Sequence, residues 1–339
     1  MCIRDRGWIL GLTLAGLLAA GCSPTPAPAG GAGTTGGTAA SGGKKLKIGV
    51  SIPAADHGWT AGVNYWAQEA SKLYPDVEWI ISPAQTPEKQ IADMETMLTK
   101  GVDGMVVLAT ESAPITPAAK KVHERGVFLV NVDRGFLEPV ADVFLEGDNK
   151  AFGRKSAEFM VKKMNGTGKI IILRGIPCTV DTDRFNAAME VFKASPGIQV
   201  LDAQSGMWNR QKALEVTQTL LLKHKDVDAI WASDDDMALG AEQALKEAGM
   251  ADKVWMLGGA GMKDIVKRVM DGDKMFPANI TYPPSMIATG MSIAVSALGG
   301  GNVDKKRPFL PRHLMLDVEL ITPENAKDYY CLLYTSRCV

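Results

Sequence analysis

Three consecutive carboxylates (Asp234, Asp235 and Asp236), the adjacent pair Asp133-Arg134, and the residues His57, Arg184, Tyr282, Trp59 and Trp208 are the side chains whose types could do chemistry. A metal site is one reading of the acidic run, but adjacent positions at a helix start point different ways, so a helix cap beside a solvated face is expected instead. His57 could act as a general base, although a lone histidine more often serves as a hydrogen-bonding residue. Neither a P-loop nor a nucleophile elbow is present, and Gly258-Gly259-Ala260-Gly261 is only a fragment of a dinucleotide fingerprint, late in the chain. The five cysteines, Cys2, Cys22, Cys178, Cys331 and Cys338, lack the paired spacings of a zinc site or a disulfide framework. Cys178 is expected to be a small buried hydrophobe. No catalytic residue, cofactor or metal is therefore expected, and the chain is not read as an enzyme.

These side chains need elements to position them. From Lys45 onward, short apolar runs alternate with amphipathic segments of helical length, which argues for βαβ units and parallel sheets. Strands are predicted over 46–52, 77–82, 104–109, 127–132 and 143–146, with helices over 60–73, 87–100 and 114–125. A second set has strands over 169–173, 198–203, 229–232, 254–257 and 278–281, with helices over 184–194, 210–225, 237–248 and 263–271. The predicted fold class is α/β, two doubly wound parallel-sheet lobes, with a helix over 285–298 and a strand over 314–320 left over to return to the first lobe.

Ligands of open parallel sheets lie beyond the carboxyl ends of the strands, where loops and helix amino termini converge. The first set places Asp56, His57, Trp59, Thr110, Glu111, Asp133 and Arg134 in such loops, with Asp148 and Asn149 following. The second set adds Asp181, Asp183, Arg184, Trp208, Asn209, Ser233 to Asp236, and Tyr282. Carboxylates and amides exchange hydrogen bonds with vicinal hydroxyls, Arg offers fixed parallel donors, and an aromatic face packs on C–H surface. The mixture suits a polyhydroxylated ligand; capping of the following helix is the competing role for any one acidic residue.

With 339 residues and 46% hydrophobic content, the chain is long enough for two domains. Its 37 Lys and Arg against 38 Asp and Glu leave a net charge of -1, with no electrostatic footprint for nucleic acid or an anionic membrane surface. Gly7 to Gly21 is apolar and follows Arg4 and Arg6, the length and charge order of a secretory signal rather than a spanning helix. It ends in Leu18-Ala19-Ala20-Gly21-Cys22, which resembles a bacterial lipobox with Ala19 where Leu is usual, so Cys22 is expected to be lipidated. Residues 23–44 are rich in Gly, Pro, Ala and Thr and read as a disordered tether with a reach of about 25 Å. The expected product is extracytoplasmic and held at the membrane by its lipid anchor only. The ends MCIRDR and CLLYTSRCV resemble translated sequencing-adapter sequence, so 1–6 and 331–339 are expected to be non-native.

From about Leu46 to Leu320 the chain resembles the ribose-binding group of type I periplasmic binding proteins. Asn131-Val132-Asp133-Arg134 resembles the segment whose Asp and Arg bind sugar hydroxyls, Gly147-Asp148-Asn149 the first crossover, and Ser233 to Gly240 the family's "NDEMALG" segment. Gly175-Ile176-Pro177 leads to Arg184 as in the loop whose Arg reaches the ligand, Trp208 stands where an aromatic stacks, and His57 and Trp59 align with ligand-facing positions of the opening loop. The resemblance implies three crossings, near Gly147, Thr281 and His313, dividing the body into a first lobe (45–147 and 282–312) and a second (148–281 and 313–330). It implies a monomer that closes on a sugar or polyol by hinge motion and docks on an ABC permease. Presentation of the same ligand to a membrane chemoreceptor or sensor kinase is the alternative. A repressor is excluded by the leader and tether that precede the first strand in place of a helix-turn-helix. The implied site is His57, Trp59, Asp133, Arg134, Asp183, Arg184, Trp208, Asp234 and Tyr282. Two departures, Ala260 where the family has a sugar-binding Asp and Tyr282 where it has Gln, point away from ribose itself.

Overall fold

The computed structural model describes residues 45–299 and 310–330. The signal segment, Cys22, the tether and the 331–339 tail lie outside the described residues. In chain order the first half runs β1 (Lys47–Pro53), α1 (Gly58–Lys72), β2 (Glu78–Ala84), α2 (Pro87–Thr99), β3 (Gly104–Val107), α3 (Ser112–Glu124), β4 (Phe128–Val132) and β5 (Val143–Gly147). The second half runs α4 (Asn149–Lys163), β6 (Gly168–Arg174), α5 (Thr179–Lys193), β7 (Ile198–Ser205), α6 (Arg210–Lys223), β8 (Ala229–Ala232), α7 (Asp235–Glu247), β9 (Trp255–Leu257) and α8 (Lys263–Met270). After these come β10 (Asn279–Ile280), α9 (Met286–Gly299), β11 (His313–Leu316), β12 (Leu320–Ile321) and α10 (Ala326–Tyr329).

Two parallel sheets result, one six-stranded in the order β11-β5-β4-β3-β1-β2 and one four-stranded in the order β7-β6-β8-β9. In each, the first strand of the set lies between the second and third, so the winding direction reverses beside it and a crevice opens at the strand ends. Alternate residues of a strand serve opposite faces. In β3, Val106 joins the core under α1 and α9, whereas Met105 and Val107 pack with Met94, Met97 and Ile115 of α2 and α3. In β6, Ile170 and Ile172 pack with Phe152 and Phe192 of α4 and α5, whereas Ile171 and Leu173 meet Leu214 and Met237 of α6 and α7. α9 returns to the first sheet, and Gly290 lets it approach: a Cβ there would lie 2.5 Å from Val132 Cγ2.

Several elements differ from expectation. The boundary near His313 is corrected, because β11 pairs in parallel with β5, His313 opposite Phe144 and Leu316 opposite Gly147. The His313 ring stacks on Phe144 with centroids 5.2 Å apart, and its Nε2 lies 2.8 Å from Glu146 Oε1, so residues 313–316 are held in the first sheet. The third crossing therefore follows Leu316. Nor is 314–320 one strand: β12 turns back to pair antiparallel with β10, apart from both sheets. Finally, α4 was absent from the predicted helices. Its buried stripe includes Gly153, Ser156 and Ala157 among many charged residues, so its apolar signal is weak. The small residues serve close packing, since a Cβ on Gly153 would lie 2.0 Å from Arg184 O on α5.

One buried amide ties the first sheet to the cleft. Gln90 of α2 is fully buried; its Nε2 donates to Ser51 Oγ (3.1 Å) and Leu108 O (2.8 Å). Its Oε1 accepts from Thr110 N (2.7 Å) and Thr110 Oγ1 (2.9 Å), fixing the loop after β3. Gln90→Leu would leave several buried polar groups unpaired and is expected to lower unfolding free energy by about 2–4 kcal/mol, measured by urea denaturation.

Candidate ligand-binding site

A narrow cavity lies between the lobes. Eight of the nine residues expected at the site line it: His57, Trp59, Asp133 and Arg134 from the first lobe, Arg184, Trp208 and Asp234 from the second, and Tyr282 from the second crossing. Asp183 does not. α5 begins at Thr179, so Asp183 and Arg184 are successive helical positions about 100° apart, and Arg184 takes the cavity side. Asp183 is half-buried, and its charge acts instead on Glu146.

Asp133 follows β4 with φ 66, a left-handed conformation that Asp tolerates better than most residues. Arg134 is anchored by Nη1, which donates to Ala109 O (3.1 Å) and Thr110 O (2.8 Å), the loop that Gln90 holds. Its buried Nε has no hydrogen-bond partner, and its guanidinium lies 4.9 Å from the centroid of Trp208. Trp208 is presented by two successive left-handed residues, Met207 (φ 59) and Trp208 itself (φ 51). Its indole occupies space that Gly175 leaves open, since a Cβ there would lie 2.1 Å from Trp208 Cε2. His57 is steered by Asp56, whose Oδ1 lies 2.7 Å from Nδ1. Although burial raises the Asp56 carboxyl, the hydrogen bond and charge of His57 hold it down at about 2.

Tyr282 joins the two halves. Its hydroxyl donates to Asp133 Oδ1 at 2.5 Å and accepts from Asn149 Nδ2 at 3.1 Å. Asn149 Oδ1 in turn accepts from Arg184 Nε (3.0 Å), and Arg184 Nη1 donates to Ser233 O (2.8 Å). The Arg184 guanidinium stacks 3.8 Å from the Phe152 centroid and 4.3 Å from that of Tyr282. Gly147 makes room for the phenol: a Cβ there would lie 2.2 Å from Tyr282 Cε2. Trp59 Nε1 donates to Tyr282 O at 3.0 Å.

Burial controls the charges. It raises the Asp133 carboxyl, with Arg134 and then Tyr282 opposing, and it pushes Asp234 up to about 6. The Tyr282 phenol is pushed far up by burial and by the Asp133 charge, so it stays protonated and serves as a donor. The three consecutive carboxylates take three directions. Asp234 Oδ1 caps α7 through Met237 N (2.9 Å) while the residue lines the cavity, so capping and lining are compatible. Asp235 turns inward to Met262 N and Asn279 Nδ2, both at 2.7 Å. Asp236 Oδ1 takes Arg210 Nη2 (2.7 Å), and its Oδ2 accepts the N–H of Gly58 (2.8 Å) at the start of α1, tying the lobes together. A second tie joins Thr179 Oγ1 to Gly135 N (2.8 Å). Cys178 is a free buried thiol raised to about 11 by burial, a packing residue.

Two lining residues were not among the expected ligands. Val180 stands one helical turn before Arg184 on the same face, and starting α5 at Thr179 is the reading that would have found it. Ala260, expected only as a missing acceptor, lines the cavity with φ 86. Asn149 is the remaining omission, a buried organiser of Tyr282 and Arg184 whose signal was its place after Gly147-Asp148.

Among the described residues no helix is long and apolar enough to cross a membrane. The periplasmic binding protein domain family matches residues 48–302. The ribose import binding protein of Salmonella typhimurium is 30% identical over 241 residues, covering 71% of this chain and 80% of that protein. The D-ribose/D-allose-binding protein of Pseudomonas aeruginosa is 27% identical over 267 residues, covering 77% and 82% respectively. An ABC transporter solute binding protein from Bacillus halodurans, solved with bound myo-inositol, superposes with a TM-score of 0.77 at 24% identity, covering 84% of this chain and 97% of that one. Fold and sequence agree: the chain belongs to the periplasmic binding protein family, within its type I ribose-binding group.

Proposed function

We propose that this protein captures one small, neutral sugar or polyol between its lobes outside the cytoplasm and delivers it to an ABC permease, performing no chemistry on it. The observation that carries this reading is the convergence of two carboxylates, two arginines and two tryptophans from separate lobes on one small cavity. The charges of Asp133 and Asp234 balance those of Arg134 and Arg184, which favours an uncharged ligand. Arginine and carboxylate together match vicinal hydroxyls, and the indoles match C–H faces. The names of the ribose- and allose-binding relatives support the same ligand class. Contacts to both lobes would favour the closed arrangement, the state a permease can distinguish. Lipidation at Cys22 would keep the monomer beside that permease.

Titrating a panel of pentoses, hexoses and inositols by tryptophan fluorescence and calorimetry is expected to find a ligand. Arg134→Ala and Trp208→Ala are each expected to weaken it about tenfold or more. A silent panel, or unchanged affinity in both variants, rejects the site.

A ligand hydroxyl donates best to an ionised carboxylate, so affinity is expected to fall as pH drops below about 6, where Asp234 gains its proton. Stability of the unliganded protein has the opposite dependence on this group. Its native value lies above the unfolded value of 3.8, so its contribution is fully present below 3.8 and is lost as pH rises through about 6. Asp234→Asn, which keeps an oxygen for Met237 N–H, is therefore expected to stabilise the unliganded fold at pH of about 7.5 by roughly 1–3 kcal/mol while weakening ligand binding. Thermal melts with and without ligand check both halves.

Closure has its own test. The double variant Thr179→Val/Asp236→Ala removes the two ties described above and is expected to give a larger radius of gyration by small-angle scattering than the unsubstituted protein. Equal values would show that these bonds do not hold the lobes together.

A further inference from the structure

Most hydrogen-bonding capacity around the cavity is already used within the protein. The Tyr282 hydroxyl is engaged by Asp133 and Asn149. Both indole donors are committed, Trp59 Nε1 to Tyr282 O and Trp208 Nε1 to Ser233 Oγ (3.4 Å). Asp133 and Asp234 have each given one carboxylate oxygen to a protein donor. What remains for a ligand is one oxygen on each of these carboxylates, the free guanidinium N–H groups of Arg134 and Arg184, and the second ring nitrogen of His57.

The side chains of Ala260, Trp59 and Tyr282 offer a ligand no uncommitted polar group. Ala260 N donates to Ile280 O (2.8 Å), and Ala260 bridges Thr281, so the Ala260 methyl adjoins the stretch that carries Tyr282. The Trp59 and Tyr282 rings follow, with centroids 5.9 Å apart. A ligand hydroxyl pressed against Ala260 and these two rings would lose its water without gaining a partner from any of the three side chains.

We infer, on the footing of the sugar-binding reading above, that the preferred ligand carries a deoxy or methyl position where it meets the wall formed by Ala260, Tyr282 and Trp59, making it a deoxy sugar rather than a fully hydroxylated one. The free carboxylate oxygens of Asp133 and Asp234, the free guanidinium N–H groups and the second His57 nitrogen bind the remaining hydroxyls. Ala260 sets the preference, because it is the wall residue that a small polar side chain could replace. Its φ of 86 is one that Asn and Asp adopt more readily than Ala, so a polar residue fits this backbone without added strain.

The test is calorimetry on the unsubstituted protein with matched pairs: D-ribose and 2-deoxy-D-ribose, D-galactose and D-fucose, L-mannose and L-rhamnose, D-glucose and 2-deoxy-D-glucose. The deoxy member of at least one pair is expected to bind about tenfold or more tightly than its hydroxylated partner, and Ala260→Asn to reduce or reverse that ratio. If the hydroxylated member binds as well or better in every pair that binds, the inference is overturned and the sugar-binding reading stands. If the ratio survives Ala260→Asn unchanged, the assignment to this wall is overturned. If no member of any pair binds, the sugar-binding reading falls and the inference with it.

Discussion

A carboxylate out of reach of water must find donors, and Asp133 finds one in a hydroxyl from a different part of the chain. The bond from Tyr282 to Asp133 opens a relay through Asn149 and Arg184 to the backbone of Ser233. These residues come from the first lobe, both of the first two crossings and the second lobe, and all are buried. Because each member satisfies the next, none can be displaced without leaving a buried polar group unpaired. The relay sets the orientation of Arg184, the phenol that walls the cavity and the remaining capacity of Asp133.

Around this relay the fold repeats itself. Both sheets place their first strand between the second and third, so both open a crevice at the same end of their strands. Turned toward each other, the two crevices make one cavity from loops that are far apart in sequence. Glycine at 147, 153 and 175 brings the parts into contact, each where a methyl group would collide with a phenol, a helix backbone or an indole.

Much of this was legible because parallel strands buried on both faces read as short apolar runs, and such runs locate the strand-end loops. That placement sets the eight expected residues that line the cavity among the strand-end loops, and the family resemblance singles them out there. The failures share one cause, which is that packing between helices decided what periodicity did not. The apolar signal of α4 is weak because only Phe152, Ala157 and Met160 of its buried stripe are apolar side chains, and a start of α5 at Arg184 rather than Thr179 puts Asp183 in the site and leaves Val180 out. The leftover strand reads as returning to the first lobe, whereas the boundary implied by the resemblance puts 313–316 in the second; the pairing with β5 and the stacking of His313 on Phe144 place it in the first. Engagement of a hydroxyl by the protein rather than by a ligand, as at Tyr282, is likewise invisible until the partners are in place.

The short crossings are stitched at both ends. β5 and β11 stay paired as far as Gly147 and Leu316, and on the other side Ile280 pairs with Leu320. Relative movement of the lobes must then be taken up as torsion in the few peptide units between these points, and Tyr282 sits among them while also walling the cavity. Selectivity and mechanics are coupled at that position: an altered side chain at 282 would retune the resting angle of the lobes together with the choice of ligand. Ala260 is bonded to the same strap, through Ile280 O and its bridge to Thr281, so a larger side chain there would be felt by the closing motion as well as by the ligand.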